Sequence, residues 1–215
     1  MEIVSVNVGT PRPVDWHGRR IMTGIFKQPV AGRVRLRKLN LEGDGQADLS
    51  VHGGAFKAVY VYPSEHYPFW RRELELQDLP WGSFGENLTT KGWWEDEVHV
   101  GDRFRIGTAE VVVTQPRLPC FKLAVRFDRE DVVETFLHSG RPGFYLAVLQ
   151  EGEIGAGDAM ERIYEDEHGV SVVEVVNLYL GRDRSDPDLL RRAASVEAMP
   201  KSWREHFQKR LRSED

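Results

Sequence analysis

Short apolar runs that alternate with polar residues and are separated by glycine turns fill most of the chain. Val34 and Leu36 alternate with arginines, as do Phe104 and Ile106. Period-two alternation is typical of strands with one buried face. We therefore predict short strands at these ranges: Ile3–Val8, Arg33–Leu39, Ala58–Tyr62, Glu97–Val100, Arg103–Ile106, Glu110–Thr114 and Phe144–Leu149. Many short strands at this spacing indicate a barrel or sandwich, not a sheet of β-α-β units.

Helical patterns interrupt this β-rich part and then replace it. We expect helical insertions at Ser64–Leu76 and Arg129–His138, and three short helices at roughly 171–180, 187–196 and 201–211. The first and third of these begin with Ser-x-x-Glu capping boxes, and the second begins with an Asp-Pro pair at 186–187. The sequence thus predicts a mainly β domain over residues 1–165, followed by a small helical domain over 166–215.

Composition and charge narrow the class of protein. The chain has 215 residues, of which 40% are hydrophobic and 29% charged, with a formal net charge of −5. These values are ordinary for a globular protein and give no global electrostatic case for stable nucleic-acid binding. No apolar run approaches the roughly 18 residues of a membrane span, and the N-terminus does not resemble a signal peptide. We expect a cytoplasmic protein without membrane association. Residues 182–212 contain nine Lys or Arg and five Asp or Glu, so this basic segment is either a solvated surface or a docking face for an acidic partner.

The single cysteine, Cys120, lies between two cations, Arg117 and Lys122. One thiol excludes an internal disulfide, a cysteine-based zinc site and an iron–sulfur cluster within the chain, because each of these needs more sulfur. Cationic neighbours stabilise a thiolate, the form that attacks carbon and binds soft metals. The local sequence leaves three possibilities open: an inert buried thiol, a nucleophile, or one soft ligand to a metal whose other ligands come from elsewhere.

Two further segments combine glycines with polar side chains. Residues 43–60 contain four glycines, including Gly53 and Gly54, together with His52 and Lys57. Glycines let backbone N–H groups approach an anion, and Lys57 could add a charge, but plain turns account for the same pattern equally well. In the second segment, Phe84-Gly85-Glu86-Asn87, the Asn87 amide can donate and accept at a polar cofactor edge, or it can serve a turn.

Taken in order, four motifs resemble the MOSC domain, named for the C-terminal domain of molybdenum-cofactor sulfurase. They are Gly43-Asp44-Gly45-Gln46-Ala47-Asp48-Leu49-Ser50-Val51-His52-Gly53-Gly54, Phe84-Gly85-Glu86-Asn87-Leu88-Thr89, Gly101-Asp102 and Gln115-Pro116-Arg117-Leu118-Pro119-Cys120-Phe121-Lys122. The resemblance covers about residues 1–165 and implies a MOSC-type β-barrel. The tail is similar to the three-helix domain of one bacterial branch, the 6-N-hydroxylaminopurine resistance proteins, also described as N-hydroxylated-base reductases. Phe56 departs from the family, which more often has an acidic residue there.

The resemblance also implies a site. Cys120 would be the catalytic residue and would bind molybdenum beside the two dithiolene sulfurs of the molybdenum cofactor, a molybdopterin. The residues that the resemblance implies as cofactor-binding are His52, Gly53, Gly54, Lys57, Asn87, Gln115, Arg117 and Lys122. Among them, Arg117 and Lys122 would hold the phosphate or balance the anionic metal centre, while His52, Gly53 and Gly54 would form one wall.

The activity implied is molybdenum-dependent reduction of N-hydroxylated compounds, such as 6-N-hydroxylaminopurine, to the N–H form. The chain shows neither a second cysteine nor a flavin fingerprint, so a separate flavin or iron–sulfur reductase would supply the electrons. Two alternatives stay open at this point. Cys120 could carry a persulfide or deliver the molybdenum cofactor, or the domain could bind a nucleotide without any chemistry.

Overall fold

A computed structural model describes residues 1–47, 53–182 and 186–214. The described residues form twelve strands: β1 Glu2–Val8, β2 Arg12–Trp16, β3 Arg19–Thr23, β4 Gln28–Pro29, β5 Arg33–Leu36, β6 Val59–Pro63, β7 Leu88–Lys91, β8 Arg103–Ile106, β9 Ala109–Pro116, β10 Phe144–Gln150, β11 Gly152–Gly155 and β12 Met160–Tyr164. They also form six α-helices: α1 Tyr67–Glu73, α2 Phe121–Phe127, α3 Val132–His138, α4 Val172–Tyr179, α5 Pro187–Ser195 and α6 Lys201–Glu214. A mainly β chain followed by a small helical segment is therefore confirmed.

Eight of the strands form one sheet in the order β12-β8-β9-β10-β6-β7-β1-β4. Neighbouring strands are antiparallel except β6 and β7, which run parallel. The regular ladder does not close into the expected barrel. Instead, an isolated bridge between Glu2 and Ala159 and three backbone hydrogen bonds join the start of the chain to the segment that leads into β12. The hydrogen bonds run from Met160 N to Met1 O (2.9 Å), from Ile3 N to Asp158 O (2.9 Å) and from Gly157 N to Ile3 O (2.8 Å). The remaining strands pair as β5–β11 and β2–β3.

Local capping chemistry explains where two of the C-terminal helices begin. The Ser171 side chain accepts from the Glu174 amide while the Glu174 side chain accepts from the Ser171 amide, so the expected capping box is present at α4. The Asp186 side chain accepts from the Leu189 amide ahead of Pro187, which opens α5. The capping box predicted at Ser202 and Glu205 does not open α6. The helix already begins at Lys201, so Ser202 lies inside its first turn.

The described helical segment shares its core with the sheet. One cluster of buried apolar side chains contains Phe104 and Val111 from the sheet together with Leu178, Leu190 and Phe207 from the helices. Backbone hydrogen bonds from Val100 N to Val170 O and from Val172 N to Val98 O, both 2.9 Å, join the two parts. Burial of a single continuous apolar cluster couples the stability of the helices to that of the sheet.

A second buried cluster is mainly aromatic and packs around α1, α2 and α3. Tyr62, Trp70, Phe84 and Phe136 meet in it with ring centroids 4.7–6.1 Å apart. Arg117, in the loop that leads from β9 to Cys120, lies over the Tyr60 and Phe136 rings of this cluster, so the cluster supports that loop. Among residues 1–47, 53–182 and 186–214, no helix combines the length and apolarity needed to cross a membrane.

Candidate functional site

Cys120 lies where the chain passes from β9 into α2. The residue is half-buried and has extended backbone dihedrals immediately before the helix, and its carbonyl accepts a 2.9 Å hydrogen bond from the Leu123 amide. Its backbone is thus held at the helix start, while its side chain lines a pocket together with charged residues. This surrounding does not fit an inert thiol packed among aliphatic side chains.

The pocket brings together residues from widely separated parts of the sequence. Its volume is about 100 Å³. Four cationic side chains and one carboxylate line it with the thiol, namely Lys27, Lys57, Arg117, Lys122 and Asp44. The other lining residues come from the β3–β4 region, the loop around Asp44, strands β6 and β10, the segment before β7 and the loop after β9: Thr23, Gly24, Ile25, Gly45, Gln46, Ala47, Tyr60, Gly85, Asn87, Leu118 and Tyr145. The lining charges favour an anionic ligand beside Cys120.

Arg117 is buried in the floor of this pocket, with 6% of its surface exposed. Its Nη1 donates to the Phe84 carbonyl at 2.7 Å and to the Tyr60 hydroxyl at 3.3 Å, and its guanidinium lies 4.7 Å from the centre of the Tyr60 ring. Burial opposes the charge, but Tyr60, Tyr145 and Cys120 outweigh burial and raise the pKa of Arg117, so its charge is permanent. The side chain therefore supplies a fixed positive charge close to the thiol.

Lys27 and Asp44 form a buried ion pair on another wall. The Lys27 Nζ donates to Asp44 Oδ1, with 7% of the Lys27 side chain and none of the Asp44 side chain exposed. Asp44 also accepts from the Gly9 amide at 2.9 Å and from Asn87 Nδ2 at 2.9 Å. Burial lowers the pKa of Lys27, while the Asp44 carboxylate opposes that shift. Because Asp44 balances the charge of Lys27, the net positive charge of the pocket comes from Lys57, Arg117 and Lys122.

Asn87 lines the pocket, but its amide bonds to other parts of the protein. Its Oδ1 accepts from the Tyr60 amide at 3.1 Å, and its Nδ2 donates to the Asn7 carbonyl at 3.3 Å as well as to Asp44. These contacts tie β6, β1 and the loop around Asp44 together. Asn87 therefore orients the pocket wall through Asp44 and Tyr60.

The neighbouring residues of the Phe84–Asn87 segment also have structural contacts. Glu86 is fully buried and accepts from the Gly82 amide at 2.7 Å, the Phe84 amide at 3.0 Å and the Thr89 hydroxyl at 2.9 Å. Gly85 has φ +76°, and a Cβ there would meet Ile25 Cγ1 at 2.9 Å. The segment therefore passes close to the β3–β4 loop, which places Phe84 O under Arg117.

The other expected site residues lie at different distances from the thiol. Lys57 and Lys122 line the pocket, and burial lowers the pKa of Lys57 although the nearby Cys120 thiol opposes this. Gly53 and Gly54 precede a single 3₁₀ turn at Ala55–Lys57 and do not line the pocket. His52 lies outside the described residues.

Gln115 is also away from the pocket lining. It lies in β9, is 2% exposed, and pairs with Tyr145 of β10. Its side-chain Nε2 is buried and has no hydrogen-bond partner among the described residues. Its place in the strand next to Tyr145 allows it to act on the pocket only through the sheet.

Sequence reasoning missed Lys27, Tyr60 and Tyr145 as pocket residues. Lys27 gives no local signal, because nothing in its own sequence neighbourhood shows that it pairs with Asp44. The tyrosines lie on the adjacent strands β6 and β10, where Tyr60 is opposite Tyr145. In the sequence, both tyrosines alternate with apolar neighbours as residues of many strands do. Only the register of the two strands shows that they share the pocket floor.

The donor set tests whether a molybdenum cofactor fits. In the part of the chain that the structure describes, no three His, Cys, Asp or Glu side chains are grouped to hold a metal ion by themselves. One half-exposed thiol, surrounded by lysines and a buried arginine, instead suits a metal that arrives with its own soft sulfur donors on an anionic carrier. The residues present fit such a group: Cys120 would be the protein ligand, and Lys57, Arg117 and Lys122 would balance its negative charge.

Comparison with known proteins identifies the family. The MOSC domain model matches residues 48–161, which is more than half of the chain. The chain belongs to the MOSC family. A second model, for the YiiM-like 3-alpha helix domain, matches residues 170–214. The resemblance seen in the sequence motifs is therefore confirmed for both the MOSC part and the helical tail.

Individual relatives of this MOSC protein span nearly all of it. YflK of Bacillus subtilis (strain 168) is 43% identical over 208 residues, covering 97% of this chain and 93% of YflK. The crystal structure of YiiM from Geobacillus stearothermophilus is 36% identical, with a TM-score of 0.80 and 98% of each chain covered. A longer protein of Gibberella moniliformis (strain M3125 / FGSC 7600), named a reductase, is 34% identical over 173 residues, which are 78% of this chain and 30% of that protein.

Proposed function

We propose that this MOSC protein is a molybdenum-cofactor-dependent oxidoreductase that reduces N-hydroxylated compounds, such as 6-N-hydroxylaminopurine, to the N–H form. The observation that carries the proposal is the single thiol of Cys120 in a pocket lined by Lys27, Lys57, Arg117 and Lys122. Family membership supports a role connected with the molybdenum cofactor. The name of the Gibberella relative supports reductive chemistry in the wider group.

The cofactor would supply the two-electron redox chemistry and the additional sulfur donors when bound. The chain's own contribution would be a thiolate at Cys120 and charges that orient the anionic cofactor. Arg117 supplies a charge that its buried contacts hold in place, whereas Lys57 and Lys122 reach the pocket from other segments. A lone soft ligand is sufficient in this arrangement because the remaining donors do not come from protein.

The overall reaction consumes two electrons and two protons: R–NH–OH becomes R–NH₂ and water. The electrons would come from a separate flavin or iron–sulfur reductase. The described residues contain one thiol, which does not make a second redox centre.

Expression of the full chain with molybdate tests the proposal. We expect molybdenum and pterin to copurify, and the loaded protein to turn over 6-N-hydroxylaminopurine with a chemical reductant. The Lys122→Ala variant should hold less cofactor, whereas Lys91→Ala, which removes an exposed lysine from the end of β7, should not. Loaded protein that fails to reduce N-hydroxylated compounds but carries a releasable sulfur atom on Cys120 would contradict the proposal and favour a persulfide carrier.

A further inference from the structure

A second cavity, of about 260 Å³, lies next to the Cys120 pocket. Its lining residues are Leu118, Tyr179, Ser202, Trp203 and His206. Leu118 lines both cavities, and it precedes Cys120 by two residues, so the two Cα atoms are within about 7 Å of each other. The two cavities therefore share Leu118 as a wall, and the rest of the lining of the second cavity comes from α4 and α6.

The lining is aromatic. The Tyr179 ring is 4.8 Å from the Trp203 ring at an interplanar angle of 38°, and 5.3 Å from the His206 ring at 40°. We call these three side chains the aromatic shelf. Tyr179 is 40% exposed and His206 is exposed, so the shelf is open to solvent rather than enclosed in the core. Exposed, adjacent aromatic rings are suited to stacking against a planar ligand.

The shelf differs from the Cys120 pocket in charge. Among the described residues that line the shelf there is no Lys, Arg, Asp or Glu, whereas four cations line the Cys120 pocket. Although His206 is largely exposed, partial burial of its ring lowers its pKa, and Arg210 and Lys209 lower it further, which favours the neutral imidazole. Ser202 and a neutral His206 offer hydrogen-bond donors and acceptors at the edge of the shelf. An uncharged surface of ring faces with polar edges matches a neutral heteroaromatic base.

We propose that the aromatic shelf binds the planar ring of the substrate and thereby presents its exocyclic N–OH group to the Cys120 pocket. This inference rests on the proposed function for the substrate class, and it assigns substrate selection to the C-terminal helices. The anionic cofactor and the neutral base would then occupy separate, adjacent cavities that meet at Leu118.

Adenine binding to the full chain tests the shelf without requiring cofactor. Isothermal titration should detect adenine binding to the wild-type chain, and Tyr179→Ala should weaken it about tenfold, since base–aromatic stacking is lost. Tyr179→Phe keeps the ring face and should bind adenine like the wild type. Tyr164→Ala removes a tyrosine of similar exposure, 42%, from β12 and should also bind normally.

Kinetics of the loaded protein give a second readout. Tyr179→Ala should raise KM for 6-N-hydroxylaminopurine about tenfold with little change in kcat, and should leave reduction of hydroxylamine, which has no ring, unchanged.

Wild-type protein that does not bind adenine, or Tyr179→Ala that binds it normally, would overturn the inference. Equal loss on both substrates, or a higher KM for the electron-donor reductase, would also overturn it and indicate a docking surface for protein. Loaded protein that reduces neither compound contradicts the proposed function alone, because adenine binding still decides the role of the shelf.

Discussion

At the scale of residues, the buried Lys27–Asp44 pair determines the shape of the pocket wall. Removal of one partner of a buried ion pair leaves the other charge uncompensated. Lys27→Met should therefore lower the free energy of unfolding by about 3 kcal/mol, even though Asp44 keeps its bonds to Gly9 and Asn87. Urea denaturation followed by circular dichroism measures the change.

An exposed ion pair in α6 provides the matched control for that prediction. Lys201 and Glu205 lie 3.4 Å apart with side chains 81% and 59% exposed. Lys201→Met should change stability by less than about 0.5 kcal/mol, because solvent screens the pair. Similar small losses in Lys27→Met and Lys201→Met would show that burial of the Lys27–Asp44 pair has little energetic effect.

The sequence predicted several of the residues that line the pocket, but it did not predict which residues they contact. Cys120, Arg117, Lys122 and Asn87 all line it, as the motifs suggested. The partners of Arg117 and Asn87 were not predictable, because Phe84, Tyr60 and Asp44 reach them only through strand register and loop crossings. Lys27 was missed for the same physical reason: a lone lysine becomes part of a site only through a partner 17 positions away.

At the scale of elements, two similar Ser-x-x-Glu sequences have different contacts. Ser171 caps α4 in a complete capping box, whereas Ser202 lies inside α6. Ser171→Ala should cost about 1 kcal/mol of stability, because an amide at the helix start loses its acceptor. Ser202→Ala should cost a few tenths at most. Chemical denaturation of both variants checks the difference, and equal losses would mean that the cap at Ser171 contributes nothing specific.

Elements with local signals could be predicted, and those that depend on distant contacts could not. The strands that contain Val34, Phe104 and Val112 and the helix start at Asp186 follow from periodicity and capping. Glu97–Val100 is a turn with an isolated bridge at His99 rather than a strand, since its partner is a single residue, Ser171. Helix α2 was not predicted, because its seven residues follow Pro119-Cys120 without a capping side chain.

At the scale of the whole molecule, the helical tail and the sheet share one core. Phe207 of α6 is fully buried in the same cluster as Val111 of β9. Phe207→Ala should lower the stability of the entire chain by about 3–5 kcal/mol, because a cavity forms in that shared cluster. Hydrogen exchange should then show reduced protection of β9 amides as well as α6 amides.

The adjacent exposed residue Gln208 supplies the control. Gln208→Ala should leave exchange in both elements unchanged, since surface substitutions have small effects. If Phe207→Ala loosened α6 while β9 amides kept their full protection, the tail would be an independent unit. The division into residues 1–165 and 166–215 stays a prediction. It rests on the change from alternating to helical patterning along the sequence. That change does not show which apolar faces of the helices and the sheet pack together.

We propose that Cys120 is the protein's ligand to molybdenum in a reductase. Serine is nearly isosteric with cysteine, so Cys120→Ser should keep the fold, and Lys57, Arg117 and Lys122 should still admit some cofactor. The serine hydroxyl is a harder and less acidic donor than the thiol, so it should not replace the thiolate as a ligand to molybdenum. The decisive measurement is the rate of 6-N-hydroxylaminopurine reduction per bound molybdenum, with metal content and activity determined on the same preparation. We expect Cys120→Ser to lose this activity at any level of cofactor loading. Activity per molybdenum equal to that of the wild type would contradict the assignment.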